Sequence, residues 1–100
     1  MSQAGGVTIT LELELRPEAV EPFLKGVSLQ GATAAPGFRS MRMVQHKDDP
    51  ARLLFVEEWA SEADYRAYSG GREERGELEG LKRITLRTEL NVWPNLIVSA

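Results

Sequence analysis

From Val7 to Leu15 the chain alternates without a break: Val7, Ile9, Leu11, Leu13 and Leu15 are aliphatic, and Thr8, Thr10, Glu12 and Glu14 between them are polar. Period two is the repeat of an extended strand, whose successive side chains point to opposite faces of a sheet; on a helix the same aliphatics would scatter around the axis. The segment must pair with other strands and bury one face. Whatever covers that face comes from a chain of 100 residues, one domain's worth. A domain of this size buries only roughly two thirds of the surface its unfolded chain exposes, so a second copy is an expected source of further burial.

The other elements follow from the same reasoning. Val20, Phe23, Leu24 and Val27 recur at helical spacing between Pro17 and Gly31. Either Pro17 opens this helix and Pro22 disturbs it, or the regular helix begins at Pro22. Ala35, Pro36 and Gly37 end it. Phe38 to His46 reads as a second strand, and Lys47 to Pro50 is a turn into a third at Arg52 to Trp59. Leu53, Leu54, Phe55 and Val56 are consecutive, which predicts a central strand covered on both faces. Ser61 with Asp64 forms a helix start from about Glu62. Gly70 and Gly71 either end that helix or loosen it, and more helix is expected between Arg72 and Leu81.

Ile84, Leu86, Leu90 and Val92 then mark a fourth strand, before a tail over residues 93–100 that contains Trp93, Leu96, Ile97 and Val98. Residues 1–6 are expected to be a flexible lead. The order strand, helix, strand, strand, helix, strand is the split βαβ arrangement of an α+β, ferredoxin-like fold, with an antiparallel sheet and helices on one face. The tail is too apolar to leave in water, and its expected surface is the partner subunit.

Composition removes several kinds of chemistry. Twelve Lys and Arg against fifteen Asp and Glu give a net charge of -3, with no basic cluster to meet a phosphate backbone, so no nucleic-acid partner is expected. With no cysteine there is no disulfide, thiolate metal site or thiol nucleophile. His46 is the single histidine, too few for a facial metal triad, so no metal is expected. No dinucleotide fingerprint, phosphate loop or serine elbow appears, and no cofactor is expected. No run approaches the ~20 apolar residues that span a bilayer, which leaves a cytoplasmic protein without a membrane partner as the expectation.

The stretch Ala35-Pro36-Gly37-Phe38, the turn through Asp49 and Pro50, and then Leu53 to Glu57, Trp59, Ser61 and Tyr65 resemble the antibiotic biosynthesis monooxygenase domain, a dimeric α+β barrel. Tyr68, Arg72 and Gly76 match the variant of that family in which the helix after the tryptophan carries a tyrosine, an arginine four residues on and then a glycine. The resemblance implies oxygenation without a cofactor: an aromatic or quinol-type substrate loses a proton, its anion reduces dioxygen, and the protein binds and orients the pair. The alternative is a dimeric module of the same fold that binds a small ligand without turning it over. Many relatives have a histidine where this chain has Tyr68. The asparagine of the haem-degrading relatives is missing from Val7 to Leu15, so haem breakdown loses support.

Trp59 offers an aromatic wall and an N–H donor, or is a core tryptophan. Tyr65 and Tyr68, three apart on a helix, either converge on a cavity beside Trp59 or pack with their hydroxyls in water. A tyrosine is a poor base at neutral pH but donates well to a developing anion. Arg42, placed by strict alternation on the face of Phe38, Val44 and His46, either holds a phenolate or pairs with a glutamate. His46 is suited to proton transfer or is a surface residue beside a turn. Phe55, Glu57 and Trp59 share one strand face. The match of Glu57 to the family's glutamate implies a hydrogen-bonding role, with general-base action as the lesser alternative. Arg72 matches the family's arginine and is otherwise structural or solvated.

Overall fold

The structure, a computed structural model, describes residues 6–28 and 30–100. The segment expected to be flexible, residues 1–6, therefore lies outside the described residues except for Gly6. Strands β1 (Val7–Leu15), β2 (Phe38–Gln45), β3 (Arg52–Trp59) and β4 (Thr85–Trp93) form one antiparallel sheet in the order β2-β3-β1-β4. Helices α1 (Val20–Gly26), α2 (Gln30–Thr33), α3 (Glu62–Glu74) and α4 (Glu79–Ile84) complete the ferredoxin-like α+β fold, and a single 3-10 turn at Pro17–Ala19 leads into α1. Pro17 opens that turn and Pro22 falls at the third residue of α1, where a backbone N–H has no partner within the helix to lose.

The period-two pattern is realised as expected. Val7, Ile9, Leu13 and Leu15 are buried on the helix-covered face, opposite Leu53 and Trp59 of β3. Each such side chain contributes about 1.5–3 kcal/mol by leaving water. Thr8, Thr10, Glu12 and Glu14 are only half-buried on the other face, where Glu12 accepts from Arg52 Nη2 at 2.6 Å. Leu54 and Val56 lie on that open face, half-exposed in the single chain.

Three boundaries differ from the sequence reading. Ile84 ends α4 and packs on the core beside Leu81, so β4 begins at Thr85; Trp93 closes β4 opposite Thr8 and does not begin the tail; β2 stops at Gln45, before His46. The pair Gly70–Gly71 neither ends nor breaks α3. The helix runs on to Glu74 and is closed by Gly76 at φ 74°. Its start is the expected cap, with Ser61 Oγ accepting from the Asp64 amide at 3.1 Å.

Gly37 sets the entry to β2. Its φ is 84°, and a Cβ there would collide with the Asp64 carboxylate. Gly37→Ala combines left-handed strain with that collision and is expected to cost at least ~2 kcal/mol, read as a lowered urea midpoint. An unchanged midpoint would show that the turn relaxes freely.

Candidate active site

The core is two clusters. At one end Val7, Ile9, Trp59 and Tyr65 pack together; at the other, Leu13, Leu15 and Leu53 do. Between them, at the Leu11–Phe55 level of the sheet, the helices stand off and leave a cavity of about 700 Å³. That gap explains why Leu11 and Phe55, on the two central strands, are only partly buried. Leu11, Phe23, Phe55 and Leu81 supply apolar walls, while Glu57, Tyr65, Tyr68, Ser69 and Arg72 bring polar groups from β3 and α3.

Glu57 is 3% exposed. Strand alternation fixes its side chain on the helix-covered face, opposite Ile9 of β1 and Met41 of β2. One carboxylate oxygen accepts from Trp59 Nε1 at 2.9 Å. Burial pushes the Glu57 carboxyl above the usual carboxylate range, against the opposing pull of that hydrogen bond and of the Arg72 charge. The neighbouring Tyr65 phenol is also pushed up, first by burial and then by the Glu57 carboxylate, with a hydrogen bond to Ser69 opposing. Both groups are thereby shifted toward their protonated forms.

Trp59 is fully buried at the centre of an aromatic group. Phe38 and Tyr65 meet it edge-on at 5.5 and 5.9 Å, and Tyr68 lies tilted at 5.2 Å. The sequence reading offered its N–H to a substrate; the structure gives that N–H to Glu57. The indole thus meets the cavity's carboxyl by this hydrogen bond, and its N–H is engaged within the chain. Trp59→Phe keeps the packing and leaves a buried acceptor short of a donor, a loss of about 1–3 kcal/mol. Because that bond holds the carboxyl down, the Glu57 titration followed by carbonyl-labelled NMR is expected to move to higher pH. A titration that stayed in place would mean that the bond contributes nothing to the acid.

Phe55, Glu57, Tyr65, Tyr68 and Arg72 are brought together around one cavity, with Trp59 behind it. Arg42 and His46 are not. A bulge between Phe38 and Ser40 resets the alternation of β2, so Arg42 pairs with Val56 on the open face, opposite to the face of Phe38. Strict alternation failed there because one extra residue in a strand exchanges its two faces. His46 lies exposed past the end of β2, where its Nδ1 accepts from the Asp48 amide at 3.0 Å. Ser69, Met41 and Thr88 also line the cavity and were missed. Ser69 was readable as the residue one helical turn after Tyr65, and Thr88 as the polar interruption among Ile84, Leu86, Leu90 and Val92.

Among the described residues no three His, Asp or Glu side chains converge as a metal site, and no helix is long and apolar enough to cross a membrane. The fold is shared with solved proteins of low sequence identity. A candidate antibiotic biosynthesis monooxygenase from Nitrosomonas europaea superposes with a TM-score of 0.82 at 14% identity, covering 100% of this chain and 99% of that one. A conserved protein from Methanosarcina mazei gives 0.78 at 18% identity, covering 91% and 93%. SnoaB, a cofactor-independent oxygenase from Streptomyces nogalater, gives 0.76 at 13%, covering 95% and 97%. No match was found among curated proteins. The family model for antibiotic biosynthesis monooxygenase matches residues 6–75, the span from β1 through Glu57, Trp59 and both tyrosines, and the chain belongs to that family.

Proposed function

We propose that the protein is a cofactor-independent monooxygenase acting on a small phenolic or quinol-type compound, with Glu57 as the proton acceptor. The observation that carries this reading is the buried Glu57 carboxyl, raised in pKa and facing a largely apolar cavity between two tyrosines and an arginine. A base works best when its pKa lies near the operating pH, and burial moves Glu57 in that direction. The substrate's ring lies against Leu11, Phe23 and Phe55, with its hydroxyl toward Glu57. Glu57 takes the hydroxyl proton while Tyr68 and Arg72 face the oxygen that becomes charged. The anion passes one electron to dioxygen, and the resulting pair combines at a ring carbon bearing hydrogen. That carbon becomes a carbonyl as one oxygen leaves as water, so a phenol and dioxygen give a quinone and water. Similarity in fold to SnoaB, a cofactor-independent oxygenase, supports the class of reaction.

The test is dioxygen uptake by the purified protein against a panel of hydroxylated aromatics, with and without added flavin. Uptake without flavin is expected. Binding of the same compounds with no uptake would move the protein to the ligand-binding alternative.

The working unit in this proposal is a homodimer in which two sheets meet by their open faces. Support comes from Val44, 45% exposed, and Trp93, 56% exposed, beside Leu54 and Val56 on that face. Trp93 lies across β1 with its Nε1 donating to Thr10 Oγ1 at 2.8 Å. Sedimentation equilibrium should give the dimer mass at micromolar concentration, and a stable monomer would refute it.

A further inference from the structure

The end of α3 folds three charged residues together. The Gly76 amide donates to the Glu73 carbonyl at 3.0 Å and the Glu77 amide to the Arg72 carbonyl at 2.9 Å, the paired bonds of a Schellman closure. This reversal returns the Glu77 side chain to Arg75 and Arg72, and its carboxylate is shared unequally. Oε2 accepts from Arg75 Nε at 2.6 Å, whereas Oε1 accepts from Arg72 Nε at only 3.4 Å, beyond the usual range of such bonds. Arg75 is accordingly the larger influence holding the Glu77 carboxyl below its ordinary value.

The two arginines also face different ways. Arg72 and Glu77 line the cavity, while Arg75 lines a separate outer groove beside Asp64 and Gly71. Arg72 lies 5.8 Å over the Tyr68 ring and lines the cavity with Glu57 and Glu77; its contact with Glu77 is long, at 3.4 Å, and its charge lowers the pKa of Glu57. Lys82, a second cation lining the cavity, has Glu73 at 3.3 Å and Glu79 at 4.0 Å.

We propose that Arg72 selects an anionic ligand, a carboxylate or phenolate on an aromatic body, and that Arg75 is the positioning residue that leaves it free to do so. While Arg75 holds Glu77, the Arg72 guanidinium can turn from Glu77 to an oxyanion in the cavity without stranding a carboxylate. Its planar fork suits a carboxylate or paired oxygens better than an ammonium would. This deepens the proposed function by naming the ligand's charge; it rests on the cavity as the ligand site and not on the oxygen chemistry.

The test is calorimetric binding of 2-naphthoate and of 2-naphthamide, equal in shape and different in charge, at low salt. The wild type should prefer naphthoate. Arg72→Gln should lose about tenfold in naphthoate affinity and under twofold for the amide, whereas Lys82→Gln should keep the preference. Arg75→Gln should weaken naphthoate binding by about threefold to fivefold, the scale of an exposed ion pair, and Glu77→Gln should tighten it by a similar factor.

A general change of surface field would produce the same two signs, so the double variant decides. With Glu77 already removed there is nothing for Arg75 to hold, and Arg75→Gln in that background should have no further effect. Additive effects of the two substitutions would overturn the proposal. So would equal binding of the two probes, binding of neither, or a preference that depends on Lys82 and not on Arg72. None of these readings uses dioxygen, so a protein that shows the expected cycle but consumes no oxygen would lose the proposed activity and keep this inference.

Discussion

Glu57→Gln is expected to lower turnover of a phenolic substrate by about 10²- to 10⁴-fold while the fold persists, the range associated with removing a general base. The change is nearly isosteric, and the amide oxygen of glutamine can still accept from Trp59 Nε1, so a structural bond is kept while the proton acceptor is lost. Stability should respond with the opposite sign. The folded pKa of Glu57 is raised above the unfolded value of 4.5, so its contribution is fully present below that pH and is lost as pH rises through the folded pKa. Glutamine has no such loss. The variant should therefore melt no lower than the wild type at pH 7, with its relative advantage shrinking as the pH falls through the folded pKa and gone below 4.5. Unimpaired turnover in a folded Glu57→Gln protein would remove Glu57 from the reaction.

Ending the chain after Trp93 is the second large effect. Leu96, Ile97 and Val98 are 81%, 89% and 80% exposed, so truncation removes almost nothing from the subunit's own core. In a dimer each tail would bury these three side chains against the partner, at about 1.5–3 kcal/mol for each one fully buried. Even half of the lower figure, from two tails, corresponds to a dimer dissociation constant raised by at least about 10³-fold. The truncated subunit should keep its far-ultraviolet spectrum and sediment as a monomer at concentrations where the full chain is dimeric. Equal dimerisation of the two forms would mean that the tail takes no part in the interface.

Local patterns in residue order account for part of the fold, and pairing between distant segments for the rest. Alternation in Val7–Leu15, the apolar run of β3 and the Ser61 cap carried the element order and the choice of buried face, because each is a local pattern with one geometric meaning. The face of Arg42 was not legible. Its position depends on a bulge between Phe38 and Ser40 that arises from pairing with β3 and leaves no mark in composition. The end of α3 misled for a related reason. Gly70 and Gly71 look like stops but retain helical backbone, and the residue that adopts positive φ is Gly76, where the Schellman bonds form.

At the site, spacing placed Phe55, Glu57 and Trp59 on one strand face and the two tyrosines on one helix. What spacing could not give was the assignment of the indole N–H. A buried carboxylate two residues away on the same face claims it, and that competition is decided by three-dimensional distance. The same buried pairing raises Glu57 from a lesser candidate to the centre of the proposed chemistry.

The central claim is that the protein joins dioxygen directly to an aromatic anion formed at Glu57. It is tested most directly by turnover of a hydroxylated aromatic under ¹⁸O₂, with a metal chelator present and no flavin added, followed by mass spectrometry of the product. The account predicts one labelled oxygen in the quinone, one dioxygen consumed per substrate, and loss of both in Glu57→Gln. Product carrying only oxygen from water, or label incorporated only when flavin is supplied, would contradict it.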